Sequence, residues 1–163
     1  MKILIIPIGP PGCGKTSLGL FIKNRFDKVF YTNRDDEYKK LRDEGNGSRK
    51  TRRILYDNLM EFYDSVNKFK GGCIIYMDSV NGIDSIRKKF VESMTVDRVI
   101  YINFIVSDCS IGFLLDRTMK RKGHPTFPTD KDEQLVTLKN VMDSVVYVSE
   151  FDKISSDSII INY

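Results

Sequence analysis

Short apolar runs alternate along the chain with longer stretches in which apolar residues recur every three or four positions. The runs predict strands at Lys2–Ile8, Lys28–Thr32, Cys73–Met77, Val99–Ile105 and Ile159–Asn162. The longer period predicts helices at Lys15–Phe26, Asp36–Asp43, Arg49–Lys68, Ile83–Ser93, Ser110–Lys120 and Asp132–Val146. Ser48 is the expected cap of the third helix, and Asp108 or Ser110 that of the fifth. Gly45-Asn46-Gly47-Ser48 and Lys70-Gly71-Gly72 read as turns. Strand–helix alternation at this spacing predicts an α/β fold: a parallel five-stranded sheet with helices on both faces. Ligands of such sheets sit at the carboxyl ends of the strands, so those ends carry the candidate chemistry.

The first end carries the strongest signal. Gly9-Pro10-Pro11-Gly12-Cys13-Gly14-Lys15-Thr16 follows directly on the apolar run Ile3–Ile8 and opens a helical pattern. This is a P-loop in its proper setting, strand before and helix after. Backbone N–H groups from Gly9 to Ser17 converge on phosphate oxygens, and the helix N-terminus adds favourable dipole. Lys15 is expected to reach the β- and γ-phosphates, and Thr16 to ligate Mg²⁺ through its hydroxyl. Cys13 reads as a small space-filler that is open to oxidation.

The second and third ends supply carboxylates. Cys73-Ile74-Ile75-Tyr76-Met77-Asp78 is an apolar strand ending in an acid, the form of a second nucleotide-binding motif. Its Asp78 helps hold the metal, through water, or orients a neighbour. Asn33-Arg34-Asp35-Asp36 follows the second strand and offers a carboxylate pair at the same cleft. An acceptor hydroxyl must lose its proton as it attacks phosphorus, so a base is needed there. Asp35 is read as that base and Asp36 as serving the helix. A cationic run, Arg117 to Lys122, precedes the Gly- and Pro-punctuated stretch Gly123–Pro128. Arg117 and Arg121 stand four apart, as on one helical face, and predict a lid over about 117–130 that neutralises the transferred group.

Length and composition then narrow the class. The chain has 163 residues, enough for one domain with its own core, residues 1–163. Its net charge of +4 is mild, but Arg49, Lys50, Arg52 and Arg53 cluster, which suits a phosphate-rich acceptor or a solvated helix face. Cys13, Cys73 and Cys109 form no disulfide or zinc spacing, and a lone histidine, His124, excludes a multi-histidine metal site. No stretch is long enough to span a membrane, and an intracellular protein, cytoplasmic or nuclear, is expected.

Three segments carry a resemblance. Ile6–Thr16, Asn33–Asp36 with Ile75–Asn81, and Arg117–Arg121 resemble, in consistent order, the polynucleotide 5′-hydroxyl kinases. The chain looks most like the kinase domain of fungal-type tRNA ligases and, next, bacteriophage polynucleotide kinase. The resemblance implies a P-loop kinase fold, with Asp35 as general base and the lid arginines Arg117 and Arg121 embracing phosphates. It implies transfer of the γ-phosphate of ATP or GTP to the 5′-hydroxyl of RNA, in preference to DNA, with Mg²⁺. Asp78, Lys39, Arg49 and Arg52 are the expected acceptor-side residues. Tyr38 stands where the phage enzyme has an arginine, which leaves Lys39, Lys40 or Arg42 for the acceptor phosphate. Gly123-His124-Pro125-Thr126 replaces the Asn-His-Gln segment of the ligase kinases. The fungal enzyme's ligase and phosphodiesterase domains have no counterpart here, so a separate ligase or phosphatase is an expected partner. The residues also admit a small-molecule kinase, for a nucleotide or a sugar, or a non-catalytic nucleotide-dependent switch. The Asn-Lys-x-Asp base-recognition motif of GTPases is absent.

Overall fold

Along the chain run β1 (Lys2–Ile8), α1 (Lys15–Arg25), β2 (Val29–Asn33), α2 (Arg34–Asp43), α3 (Ser48–Lys68), β3 (Cys73–Asp78), α4 (Asp84–Ser93), β4 (Arg98–Ile105), α5 (Ile111–Met119), α6 (Lys131–Ser144) and β5 (Ser156–Asn162). The computed structural model describes residues 1–107, 110–120, 128, 130–148 and, for backbone only, 156–162. The strands lie in the order β2-β3-β1-β4, all parallel, and the backbone of β5 lies alongside β4.

The central place of β1 explains its unbroken apolar sequence. Leu4, Ile6 and Ile8 are fully buried on one face, against Tyr63 and Val66 of α3 and Phe90 of α4. Ile5 faces the other way, in a cluster with Ile22 of α1, Leu114 of α5 and Leu138 of α6. A parallel strand covered on both faces has no solvent side to encode. Each fully buried aliphatic side chain contributes roughly 1.5–3 kcal/mol. The helix α1 approaches the sheet over Gly19. A Cβ there would stand 2.6 Å from Tyr76 and 2.7 Å from Tyr31, whose rings stack at 5.9 Å.

The caps fix where three of the helices start. Two residues before its predicted start, α2 begins at Arg34, because Asn33 caps it. The Asn33 Oδ1 accepts from the Asp35 and Asp36 N–H groups at 3.1 and 3.2 Å. Neither aspartate is therefore the cap. Ser48 is the first residue of α3, not its cap: Gly47 holds that position and no side chain closes the end. At α5 the N-cap is Ser110, again without a side-chain bond, and Asp108 lies outside the described residues. Among the described residues no helix is long and apolar enough to cross a membrane.

Candidate functional site

The loop from Gly9 to Gly14 turns on glycine geometry. Gly12 (φ 84°) and Gly14 (φ 106°) occupy the left-handed region, which a side chain would strain. Gly14 is the N-cap of α1 and no side chain caps that end. The first N–H groups of the helix thus remain available to an anion. Lys15, only 7% exposed, folds back over the loop. Its Nζ donates to the Gly9 and Pro10 carbonyls at 2.8 and 2.7 Å and lies 3.6 Å from the Cys13 Sγ.

The loop is fastened to the sheet from behind. The Tyr76 hydroxyl donates to the Lys15 carbonyl at 2.6 Å, and the Gly9 N–H donates to the Val80 carbonyl at 3.2 Å. Asn81 sits at φ 50°, a conformation asparagine tolerates. Its Nδ2 donates to the Pro7 and Met77 carbonyls at 2.7 and 2.8 Å, joining the end of β3 to the entry of the loop. Buried Arg87 of α4 donates to the Asn81 carbonyl at 2.8 Å and to the Val146 carbonyl at 2.8 Å, and pairs with Asp84 at 3.1 Å.

Asp78 is the centre of the site. It is 3% exposed, and its Oδ2 accepts from the Tyr31 hydroxyl at 2.6 Å and from the Asn33 Nδ2 at 3.1 Å. Burial pushes its carboxyl above the usual carboxylate range. Hydrogen bonds from Tyr31 and Thr16 and the charge of Lys15 pull against that, and the charge of Asp35 adds to it. Burial and the bond to Asp78 likewise raise the Tyr31 phenol. Four sequence-predicted or neighbouring groups, Lys15, Thr16, Tyr31 and Asp35, therefore converge on one carboxylate. The register explains why. Asn33 of β2 is paired with Asp78 of β3, so the residue two places further along β2's exit, Asp35, lands beside the end of β3. Asp35 is half-buried and Asp36 exposed.

Thr16 and Asp78 present a hydroxyl and a carboxylate side by side. Hard oxygen donors suit Mg²⁺, which keeps several waters and binds with phosphate rather than in a full protein cage. No group of three or more His, Cys, Asp or Glu that could hold a metal ion gathers among the described residues. The residues present fit the ion.

The remaining predicted residues scatter. Ser17 is exposed on the first turn of α1 and Lys39 half-buried on α2. Arg49, Lys50, Arg52 and Arg53 are exposed in the opening turns of α3. Arg42 is spent on structure: its guanidinium donates to the Asn46 carbonyl at 3.0 Å and contacts the Ser48 Oγ at 3.4 Å, closing the α2–α3 turn. Arg117 lays its guanidinium over the Phe113 ring, 5.3 Å from the centroid. Its neighbour Thr118 does pack against the loop, 3.2 Å from where a Gly12 Cβ would stand. The helix α5 ends at Met119 with Lys120 as its C-cap; Arg121 and residues 122–127 of the expected lid lie outside the described residues.

Sequence reasoning missed Tyr31, Asn33, Asn81 and the pair Thr118–Gln134. The Thr118 hydroxyl bonds Gln134 Oε1 at 3.0 Å, and the Gln134 Nε2 donates to the Pro128 carbonyl at 2.5 Å. These bonds tie Pro128 to the end of α5. Asn33 and Asn81 did leave a signal, each an asparagine at the exit of a strand.

No protein-family model matches the chain, and no curated protein matches it. Solved structures do. The chain is similar to a fungal RNA kinase, with 19% identity and a TM-score of 0.65 over 99% of this chain and 74% of that one. It is similar to Chaetomium thermophilum Kti12, solved in complex with ADP-AlF3, with 16% identity and a TM-score of 0.61 over 98% and 89%. It is also similar to a gluconokinase from Sinorhizobium meliloti 1021, with 17% identity and a TM-score of 0.53 over 96% and 81%. At these identities the likeness establishes the fold, which is that of the P-loop kinases.

Proposed function

We propose that this chain is a Mg²⁺-dependent polynucleotide 5′-hydroxyl kinase, which transfers the γ-phosphate of ATP or GTP to the 5′-hydroxyl of RNA, with DNA as a further candidate acceptor. The observation that carries the reading is the gathering of Lys15, Thr16 and Asp35 around Asp78. It brings a phosphate loop and a second carboxylate to one buried acid. Likeness to a fungal RNA kinase supports the choice of acceptor.

In this reading residues 9–17 hold the triphosphate, with the N–H groups of residues 12–17 as the donors. Thr16 and, through water, Asp78 hold Mg²⁺, which supplies charge neutralisation at the β- and γ-oxygens when bound. Asp35 accepts the proton of the 5′-hydroxyl as its oxygen bonds to the γ-phosphorus. The bond from that phosphorus to the β–γ bridging oxygen breaks, and the diphosphate leaves with the electron pair. Lys15 leaves its two carbonyls for the phosphates and compensates the charge that spreads over the transferred group. Arg117, freed from Phe113, and Arg121 add to that compensation. Lys39, Arg49 and Arg52 attract the polyanionic acceptor.

The gluconokinase likeness favours one other reading, a small-molecule kinase on the same fold. Transfer of labelled γ-phosphate to 5′-hydroxyl RNA and DNA, to nucleoside monophosphates and to sugar acids separates the two. Labelling of RNA ends above all others is expected; labelling of a small acceptor alone overturns the proposal.

A further inference from the structure

A groove separates α3 from α4. One wall is a stripe on α3 at helical spacing, Arg52, Tyr56, Met60 and Tyr63; the other comes from α4, with Lys89 at its rim. Arg34 closes the inner end. The lining contains three cations and no carboxylate. Among the described residues none of Arg34, Arg52 and Lys89 is ion-paired, in contrast to Lys68, Lys88 and Lys120, which are. Tyr56 is 61% exposed and stacks on no other ring among the described residues. Tyr63 lies deeper; burial pushes its phenol up to about 12, against the pull of the Arg34 charge.

The groove leads to the chemistry. Arg34 also lines the adjoining hollow formed by Ser79 to Ile83, and Val80 in that hollow accepts the Gly9 N–H of the phosphate loop. Arg34 is the neighbour of Asp35 in the first turn of α2. One trough therefore runs from the exit of β3, past Arg34, to Tyr56. Its floor is aromatic and apolar and its edges are cationic. That combination fits a single-stranded polynucleotide, whose bases offer π-faces and whose backbone offers anions. A helical protein segment would use the apolar floor and leave the three cations desolvated without partners.

We infer that the α3–α4 groove binds the single-stranded polynucleotide downstream of the reacting end. A base stacks on Tyr56, and Arg52 and Lys89 take backbone phosphates. The inference rests on the kinase reading for its direction along the strand, but its test does not need turnover.

The full chain, without nucleotide, is titrated into a 3′-labelled single-stranded oligoribonucleotide with a free 5′-hydroxyl, and binding is followed by fluorescence anisotropy. Tyr56→Ala is expected to weaken binding about 5- to 150-fold, the range for loss of one stacking platform. Tyr56→Phe keeps the ring and is expected to bind like wild type. Lys89→Ala is expected to flatten the salt dependence. Affinity for ATP and for a nucleoside 3′-monophosphate is expected to be unchanged in all three. Tyr56 is a surface side chain, and a matching thermal melt verifies that Tyr56→Ala is folded. Absence of RNA binding by wild type overturns the inference. So does undiminished binding by Tyr56→Ala, Arg52→Ala and Lys89→Ala, which leaves the groove to a protein partner. Selective loss of RNA binding in a protein that phosphorylates no hydroxyl upholds the groove and sinks the kinase reading. Confirmed RNA phosphorylation with Tyr56→Ala indistinguishable from wild type does the reverse.

Discussion

Two regions flank the end of β3 and are built in opposite ways. On the loop side Lys15, Asp78, Tyr31 and Asn81 each already hold a protein partner within 2.8 Å. On the α3–α4 side Arg52, Tyr56 and Lys89 line an open groove and hold none among the described residues. The first region is complete without ligand, so binding there exchanges one set of bonds for another and geometry is fixed in advance. The second keeps its charges hydrated until a partner arrives, which favours attraction and tolerance over exact placement. Preorganised groups are where transition-state stabilisation comes from; exposed cations govern encounter and salt sensitivity. Substitutions on the two sides should therefore fail differently.

The sharpest break is Asp35→Asn. It removes basicity and keeps shape, so transfer is expected to fall about 100- to 10,000-fold with triphosphate affinity nearly unchanged, measured by equilibrium nucleotide binding beside single-turnover rates. Parallel collapse of both would make Asp35 a metal or structural residue. Lys15→Ala comes next, with an expected loss on the order of 100-fold or more in turnover, and here nucleotide affinity falls as well. A folded Lys15→Ala protein with ordinary turnover would remove the phosphate cradle from the argument. Gly19→Ala tests whether the rigid side depends on close packing. Its Cβ meets both stacked tyrosines, and overpacking of this kind costs roughly 1–3 kcal/mol, read as a lowered Tm.

Asp78→Asn is expected to stabilise the nucleotide-free fold while impairing transfer. Folding raises the Asp78 carboxyl above its unfolded value, so ionisation costs stability as pH rises through the interval between the two. Below both values the cost is absent. The variant should be more stable than wild type at neutral pH, read as a higher Tm, and lose that advantage in acid; a Tm difference that is the same at neutral and acid pH would contradict it. The smallest effect belongs to the groove side. Neutralising Arg49, Lys50, Arg52 and Arg53 together should raise the KM for long oligonucleotides several-fold and reduce its salt slope by up to about 0.7 per lost phosphate contact. Triphosphate binding should be spared.

What was legible in the sequence was local. The loop, its strand and its helix occupy consecutive residues, so Gly9–Thr16 declared itself, and Asp78 declared itself as the acid ending an apolar run. Tyr31 did not, because its partner lies 47 residues away and their meeting depends on β2 lying next to β3. The cap of α2 was ambiguous for a different reason: Asn33, Asp35 and Asp36 are all good capping residues, and only the backbone path decides among them. Charge counting also misled at Arg42, where a cation that looked available for an acceptor closes a turn instead. Nothing local marks Arg87 within the predicted helix Ile83–Ser93; its burial follows from carbonyls that the β3–α4 connection and the stretch after α6 bring to it.

The back-folded Lys15 has a consequence for how the site discriminates. Its ammonium occupies two carbonyls of the loop it serves, so a ligand that needs the released arrangement binds with its intrinsic affinity multiplied by the fraction of the chain in that arrangement. A ligand shifts that population only through interactions made in the released state alone. Phosphate oxygens make them; the base and ribose of a bare nucleoside do not. The cost of opening the latch therefore falls on polyphosphates alone: a triphosphate must draw the ammonium off two carbonyls, a bare nucleoside need not, and the triphosphate gains from Lys15 only the difference between its own oxygens and those carbonyls.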